Sequence, residues 1–156
     1  MKQWCFSGSM YLGLIVMLIL GCSDSSTNNP RNNGPTPDVY ELPATLDTSI
    51  VIDIEAGKTV EITATDSVNT NPDGPVVDCD LWTDADGIAD CNYVTGSPEC
   101  RGLPFMALLG HRGTDYFLVG TSFDTTFSNA GQLELLINDW VFNDNAGKFR
   151  ISVLVR

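Results

Sequence analysis

Gly131-Gln-Leu-Glu-Leu-Leu-Ile137 and Lys148-Phe-Arg-Ile-Ser-Val-Leu-Val155 decide the fold class. Leu133, Leu135 and Ile137 recur at every second position of the first stretch, and Phe149, Ile151, Val153 and Val155 do so in the second. A period of two places alternate side chains on opposite faces, the signature of a strand with one face buried. Working outward, residues 49–54 (Ser-Ile-Val-Ile-Asp-Ile) are β-branched and partly alternating. Residues 58–65 put Val60, Ile62 and Ala64 on one face, and Ala56-Gly57-Lys58 reads as a tight turn between the two segments. Residues 105–111, 115–119 and 124–127 read as further short strands. No segment keeps a 3.6-residue period over three turns. Many short strands separated by turn signals predict an all-β sandwich or barrel. One loop, from Asp66 to about Gly102, runs over 30 residues and is rich in Asp, Asn, Pro and Gly, a length that usually marks function or a bound ion.

The N-terminus reads as an export signal. Met1-Lys2-Gln3 is a short basic region without acids, and an apolar run from Met10 to Leu20 follows. That run is about half the roughly 20 residues a membrane-spanning helix needs, which suits a secretory signal. Ile19-Leu20-Gly21-Cys22 resembles a lipobox, with Leu20 bulkier than usual. The expectation is a signal peptide over residues 1–21, a lipid-carrying Cys22, and a bacterial envelope location. Ser23, where an Asp would retain the protein, favours the outer membrane. Residues 22–37 are rich in Ser, Asn and Pro with little to bury, so they read as a disordered tether. Residues 38–156 remain, enough for one core and too few for two.

The chain has 8 basic and 20 acidic side chains. Loss of residues 1–21 removes only Lys2 from this set, leaving 7 − 20 = −13. Nucleic acid and anionic lipid headgroups both require a basic face, so neither fits as a direct partner. Membrane contact would come through Cys22. Cys79, Cys91 and Cys100 lie in the domain, where an exported compartment permits disulfides. Cys79–Cys91 is the preferred pair, with Cys91–Cys100 open as the alternative. No CxxC occurs, so neither a redox motif nor a cysteine zinc site is indicated.

Two segments carry candidate chemistry. Asn138-Asp139 ends a strand, and Asn143-Asp144-Asn145 precedes Gly147 and the last strand. Carboxylates and amides at this density suit a hard cation such as calcium, which takes six to eight oxygens. The same residues equally suit a polar turn that caps its own backbone. Asp84-x-Asp86-Gly87-x-x-Asp90 looks like half of a calcium loop and resembles part of a thrombospondin type 3 repeat. It stands equally well as an acidic surface loop. An enzyme is not expected. There is a single histidine, His111, and no Gly-x-Ser-x-Gly elbow to make a nucleophile.

The stretch from about residue 46 to 155 resembles the PA-IL-like galactose-binding lectin domain of bacteria. The resemblance rests on residues 55–64 (Glu-Ala-Gly-Lys-Thr-Val-Glu-Ile-Thr-Ala), 107–113 (Ala-Leu-Leu-Gly-His-Arg-Gly) and 117–120 (Phe-Leu-Val-Gly). It rests also on 131–139 (Gly-Gln-Leu-Glu-Leu-Leu-Ile-Asn-Asp) and 144–147 (Asp-Asn-Ala-Gly). It implies a jelly-roll β-sandwich of the galactose-binding-domain type with one calcium at the loop ends. The family's calcium carboxylate falls on Asp139, and its paired Asp/Asn-Asn falls on Asp144 and Asn145. Its backbone carbonyl ligands fall on Val141 and Thr70. The family's sugar-contacting His and Gln fall near Tyr93 and Gly96, which do not reproduce those contacts. Tyr93, Trp82 and Trp140 are aromatics that can stack on a sugar, and Trp140 stands next to Asp139.

Two functions follow as expectations. One is a membrane-anchored lipoprotein with a calcium-dependent carbohydrate-binding domain, its ligand a galactose-like or other glycan. The other is a non-catalytic structural or interaction lipoprotein in which calcium only stabilises loops.

Overall fold

A computed structural model describes residues 34–71, 82–89 and 102–156. The segment expected to be a signal peptide, Cys22 and most of the expected tether lie outside these residues, as do Cys79, Cys91, Cys100, Asp90 and Tyr93. Eight strands are present: β1 (Asp38–Pro43), β2 (Ile50–Ile54), β3 (Thr59–Thr70), β4 (Leu108–Arg112), β5 (Asp115–Leu118), β6 (Ser122–Thr126), β7 (Gly131–Ile137) and β8 (Asn145–Val155). No helix occurs among the described residues. The strands form two antiparallel sheets, ordered β1-β8-β3-β6 and β2-β7-β4-β5. This is the all-β sandwich that the alternation predicts, with the strand order of a jelly roll. The ladders β1·β8, β2·β7, β3·β6 and β4·β5 describe one long hairpin, first half against second, with its tip at Gly113-Thr114. Rolling that hairpin up adds the β3·β8 and β4·β7 pairings and stacks the two sheets.

The alternating positions face the core as predicted. Leu133, Leu135 and Ile137 of β7 are buried against Val60, Ile62 and Ala64 of β3 and Phe149, Ile151 and Val153 of β8. Gly110 explains a glycine in the middle of β4. A Cβ there would run into the ring of Phe117, its ladder partner on β5, which stacks on Phe123 at 5.2 Å between centroids.

Three features differ from the expectation. The turn at Ala56-Gly57 is present, with Gly57 at φ 79° and the Lys58 N–H donating to Glu55 O at 3.3 Å. It does not close a hairpin. β2 and β3 belong to different sheets, so the turn carries the chain from one sheet to the other. β1 is an additional edge strand, buried through Leu42 and ending in Pro43, a residue tolerated at a sheet edge. β3 and β8 both run further than the apolar pattern suggests. Their ladder continues through Val68↔Gly147, Asn69↔Ala146 and Thr70↔Asn145. Asn145 therefore opens a strand rather than sitting in a loop.

Candidate functional site

The extension of β3 and β8 builds one end of the sandwich. Asn71 N–H donates to Asp144 O at 2.7 Å and Ala44 N–H to Gly147 O at 3.0 Å. The ends of β1, β3 and β8 are thereby tied together. Gly147 has φ 86°, and a Cβ on it would strike Ser67 O and the ring of Trp82. Only glycine fits that backbone, the physical reason behind the Asp-Asn-x-Gly pattern. β7 delivers Asn138 and Asp139 to the same end. Asn138 is fully buried, and its Nδ2 donates to Pro104 O at 2.8 Å and Leu103 O at 3.2 Å. It brackets the 103–107 segment against β7, a structural role the sequence pattern does not separate from cation binding.

Asp139 is the centre of the cluster and is only 6% exposed. Its Oδ1 accepts from the N–H groups of Trp140 (2.6 Å) and Val141 (3.3 Å). Its Oδ2 accepts from Asn145 Nδ2 at 2.5 Å. Burial pushes the Asp139 carboxyl above its ordinary range; the donors, Asn145 first, pull it back, and the nearby Asp144 charge adds to the upward push. A carboxylate taken out of water and set beside a second one lacks positive charge. Asn145 donates also to Ala44 O at 3.0 Å, which orients the amide and leaves its Oδ1 buried with no partner. Asn69 Oδ1 and Asn138 Oδ1 are likewise buried without a partner; Asn145 differs from them in bonding directly to the Asp139 carboxylate, an acceptor-rich setting that suits a cation.

The sequence-derived residues thus converge in part. Asp139, Asp144 and Asn145 meet at one end of the sandwich. Val141 is tied to Asp139 through its N–H, and Thr70 lies opposite Asn145 in the ladder. No group of three His, Cys, Asp or Glu side chains gathers among the described residues. The donors here are carboxylates and an amide, with backbone carbonyls at hand. That mixture suits calcium, whereas zinc favours Cys and His.

The other acidic segment spends its carboxylates internally. Asp84 Oδ1 accepts from Asp86 N at 3.0 Å, and Asp84 O accepts from Gly87 N at 3.1 Å, closing a turn. The Asp86 carboxylate accepts from Thr121 N–H at 2.8 Å and from its hydroxyl at 3.2 Å. The pair thereby fastens this turn to the chain between β5 and β6. Trp82 is exposed and lies over Gly147.

Beside Asp139 opens a cleft of about 470 Å³, within the size range of small-ligand sites. Asp47, Thr48 and Ser49 line it together with Glu134, Trp140 and Phe142. Trp140 is 62% exposed. Ser49 Oγ donates to Glu134 Oε1 at 2.6 Å, and His111 Nδ1 bonds Glu134 Oε2 at 3.0 Å. His111 Nε2 bonds Gly113 O at 3.1 Å, and the ring stacks on Tyr116 at 4.2 Å. The His111 and Ser49 bonds hold the Glu134 carboxyl below its ordinary range. A serine nucleophile would need the histidine between serine and acid. Here the acid stands in the middle, so the serine–histidine–acid order is not met. Ser49 and Glu134 were not marked by the sequence, because 85 residues separate them and no local motif joins them.

The architecture is that of a jelly-roll sandwich with a polar cluster at one end. No family model matches the sequence, and no curated protein matches it. A solved structure described as the EclA N-terminal domain, a PllA-like lectin, is similar in fold, with a TM-score of 0.56 and 19% identity. The match covers 76% of this chain and 95% of that one.

Proposed function

We propose that this chain is a lipid-anchored, non-catalytic module that binds carbohydrate with the help of calcium. The observation that carries the reading is the unpartnered, buried Asn145 Oδ1 beside Asp139 and Asp144, at the end of a lectin-like jelly roll. Asp139, Asp144 and Asn145 would hold the ion through side chains, with Val141 and Thr70 contributing carbonyls. Calcium bound there offers a positive centre to sugar hydroxyls, and Trp140 offers a ring face next to it. The lipid on Cys22 and a tether of about 16 residues, roughly 20–24 Å as a random coil, would present the domain at the outer membrane. Many copies on one surface raise weak single-site binding.

Three experiments test this. Isothermal titration of the full chain in detergent should show millimolar or tighter calcium binding, and a glycan array should show chelator-sensitive binding. Absence of calcium binding sinks the mechanism. Palmitate labelling lost in Cys22→Ser tests the anchor. The second reading, in which calcium only stabilises loops, is favoured by the deep burial of Asp139 and by its links to β1 and β8 through Asn145. It expects calcium-dependent melting with no glycan bound.

A further inference from the structure

We propose that the cleft beside Asp139 is a sugar subsite that selects a protonated amino sugar over its neutral and acidic counterparts. The proposal rests on the carbohydrate reading above and adds the class of sugar.

The chemistry of the lining carries it. Asp47 and Glu134 bring carboxylates, Thr48 and Ser49 bring hydroxyls, and Trp140 and Phe142 bring rings; no Lys or Arg lines the cleft. Asp47 is exposed and makes no ion pair or hydrogen bond among the described residues. Glu134 is fixed from both sides, Ser49 on one oxygen and His111 on the other, so it presents a preset acceptor edge. Each of its oxygens keeps a further lone pair for a ligand. An ammonium group on a sugar ring finds both things it needs here. Carboxylates accept its N–H bonds, and the face of Trp140 attracts its charge while stacking on the apolar C–H face of the ring. A uronic acid would set its carboxylate against Asp47 and Glu134, with no Lys or Arg in the lining to relieve the repulsion. Calcium at Asp139 and Asp144 would neutralise those two acids and leave the Asp47 side of the cleft negative.

The test uses the full chain in detergent, in calcium buffer of low ionic strength, titrated with galactosamine, galactose and galacturonic acid and with the matching gluco series. The amine should bind about five-fold tighter than the neutral sugar, the gain expected for one charge pair about 4 Å apart in water. Galacturonic and glucuronic acid should bind more weakly still. The amine advantage should shrink at high salt, vanish on N-acetylation, and fall in Asp47→Asn, a substitution on an exposed loop that leaves the fold intact. Trp140→Ala should weaken all three sugars. Equal affinities across the series, or an amine advantage that Asp47→Asn leaves unchanged, overturns the inference. If neutral sugars bind with calcium but the amine adds nothing, only this inference falls. If calcium binds and no sugar does, the carbohydrate reading falls with it.

Discussion

Replacing Asn145 by Asp separates a cation site from a polar turn. In the native chain, Asn145 Nδ2 donates to Asp139 Oδ2 at 2.5 Å and to Ala44 O at 3.0 Å. Asn145→Asp sets a second carboxylate against the first. Two ionised carboxylates about 4 Å apart repel by about 4 kcal/mol at an effective dielectric near 20. The chain can escape by protonating one of them, which at pH 7 costs about three units at 1.36 kcal/mol each, again about 4 kcal/mol. Ala44 O loses its donor as well, adding about 1–2 kcal/mol. In chelator the variant should therefore lose about 5 kcal/mol, a large part of the whole stability of such a domain. At about 4 °C per kcal/mol, the melting temperature falls by about 20 °C. Calcium reverses the sign of the argument, because the third carboxylate now faces a divalent cation. In millimolar calcium the variant should recover most of the loss and bind the ion more tightly than the native chain. The assay is thermal and urea unfolding of both proteins, each in chelator and in calcium. The same loss under both conditions would refute a cation at this site.

Three further outcomes follow from the same geometry. Gly147→Ala should cost about 3 kcal/mol or more in urea unfolding, because its Cβ meets backbone at Ser67 and the Trp82 ring in a left-handed conformation. Trp140→Ala should leave the melting temperature within about 2 °C of native, since the side chain is mostly exposed, while reducing glycan binding on the array. The folded Glu134 releases its proton at lower pH than the unfolded group, whose ordinary value is 4.5. Its contribution to stability is thus complete above that value and is lost as the pH falls through the lower folded value. Glu134→Gln should flatten this part of the acid limb in a pH series of melting curves.

Alternation made β7 and β8 legible because both bury one face against the opposite sheet. The same holds for β2 and for the first half of β3. It failed at β1, where Asp38-Val-Tyr-Glu-Leu-Pro43 offers only Tyr40 and Leu42 to the core. It failed again at residues 66–70, where the chain passes Asp66 at φ 69° and the backbone ladder continues through a mostly polar stretch in which only Val68 is an apolar core residue. Pairing partners were out of reach of local reasoning. Glu41 meets Lys148 across 107 residues, and β2 leaves its sequence neighbour β3 for β7. The candidate cation residues were marked by short spacing and by the family resemblance, because Asp139 and Asn145 are only six residues apart. The link from Asn145 to Ala44 and the Ser49–Glu134–His111 chain were not, since each joins strands distant in sequence.

The rolled hairpin also settles which way the candidate site faces along the sandwich. β1 and β8 run side by side in opposite directions, with Asp38 opposite Val153 and Pro43 opposite Lys148. The chain enters the domain at Asp38, beside the end of the last strand. Asn145, Asp139, Ala44 and Thr70 gather at the other end, where β1 and β3 finish and β8 starts. The six residues of β1 span about 20 Å at about 3.3 Å each. The polar cluster therefore lies at the end of the sandwich away from Asp38, the full length of β1 from where that strand begins.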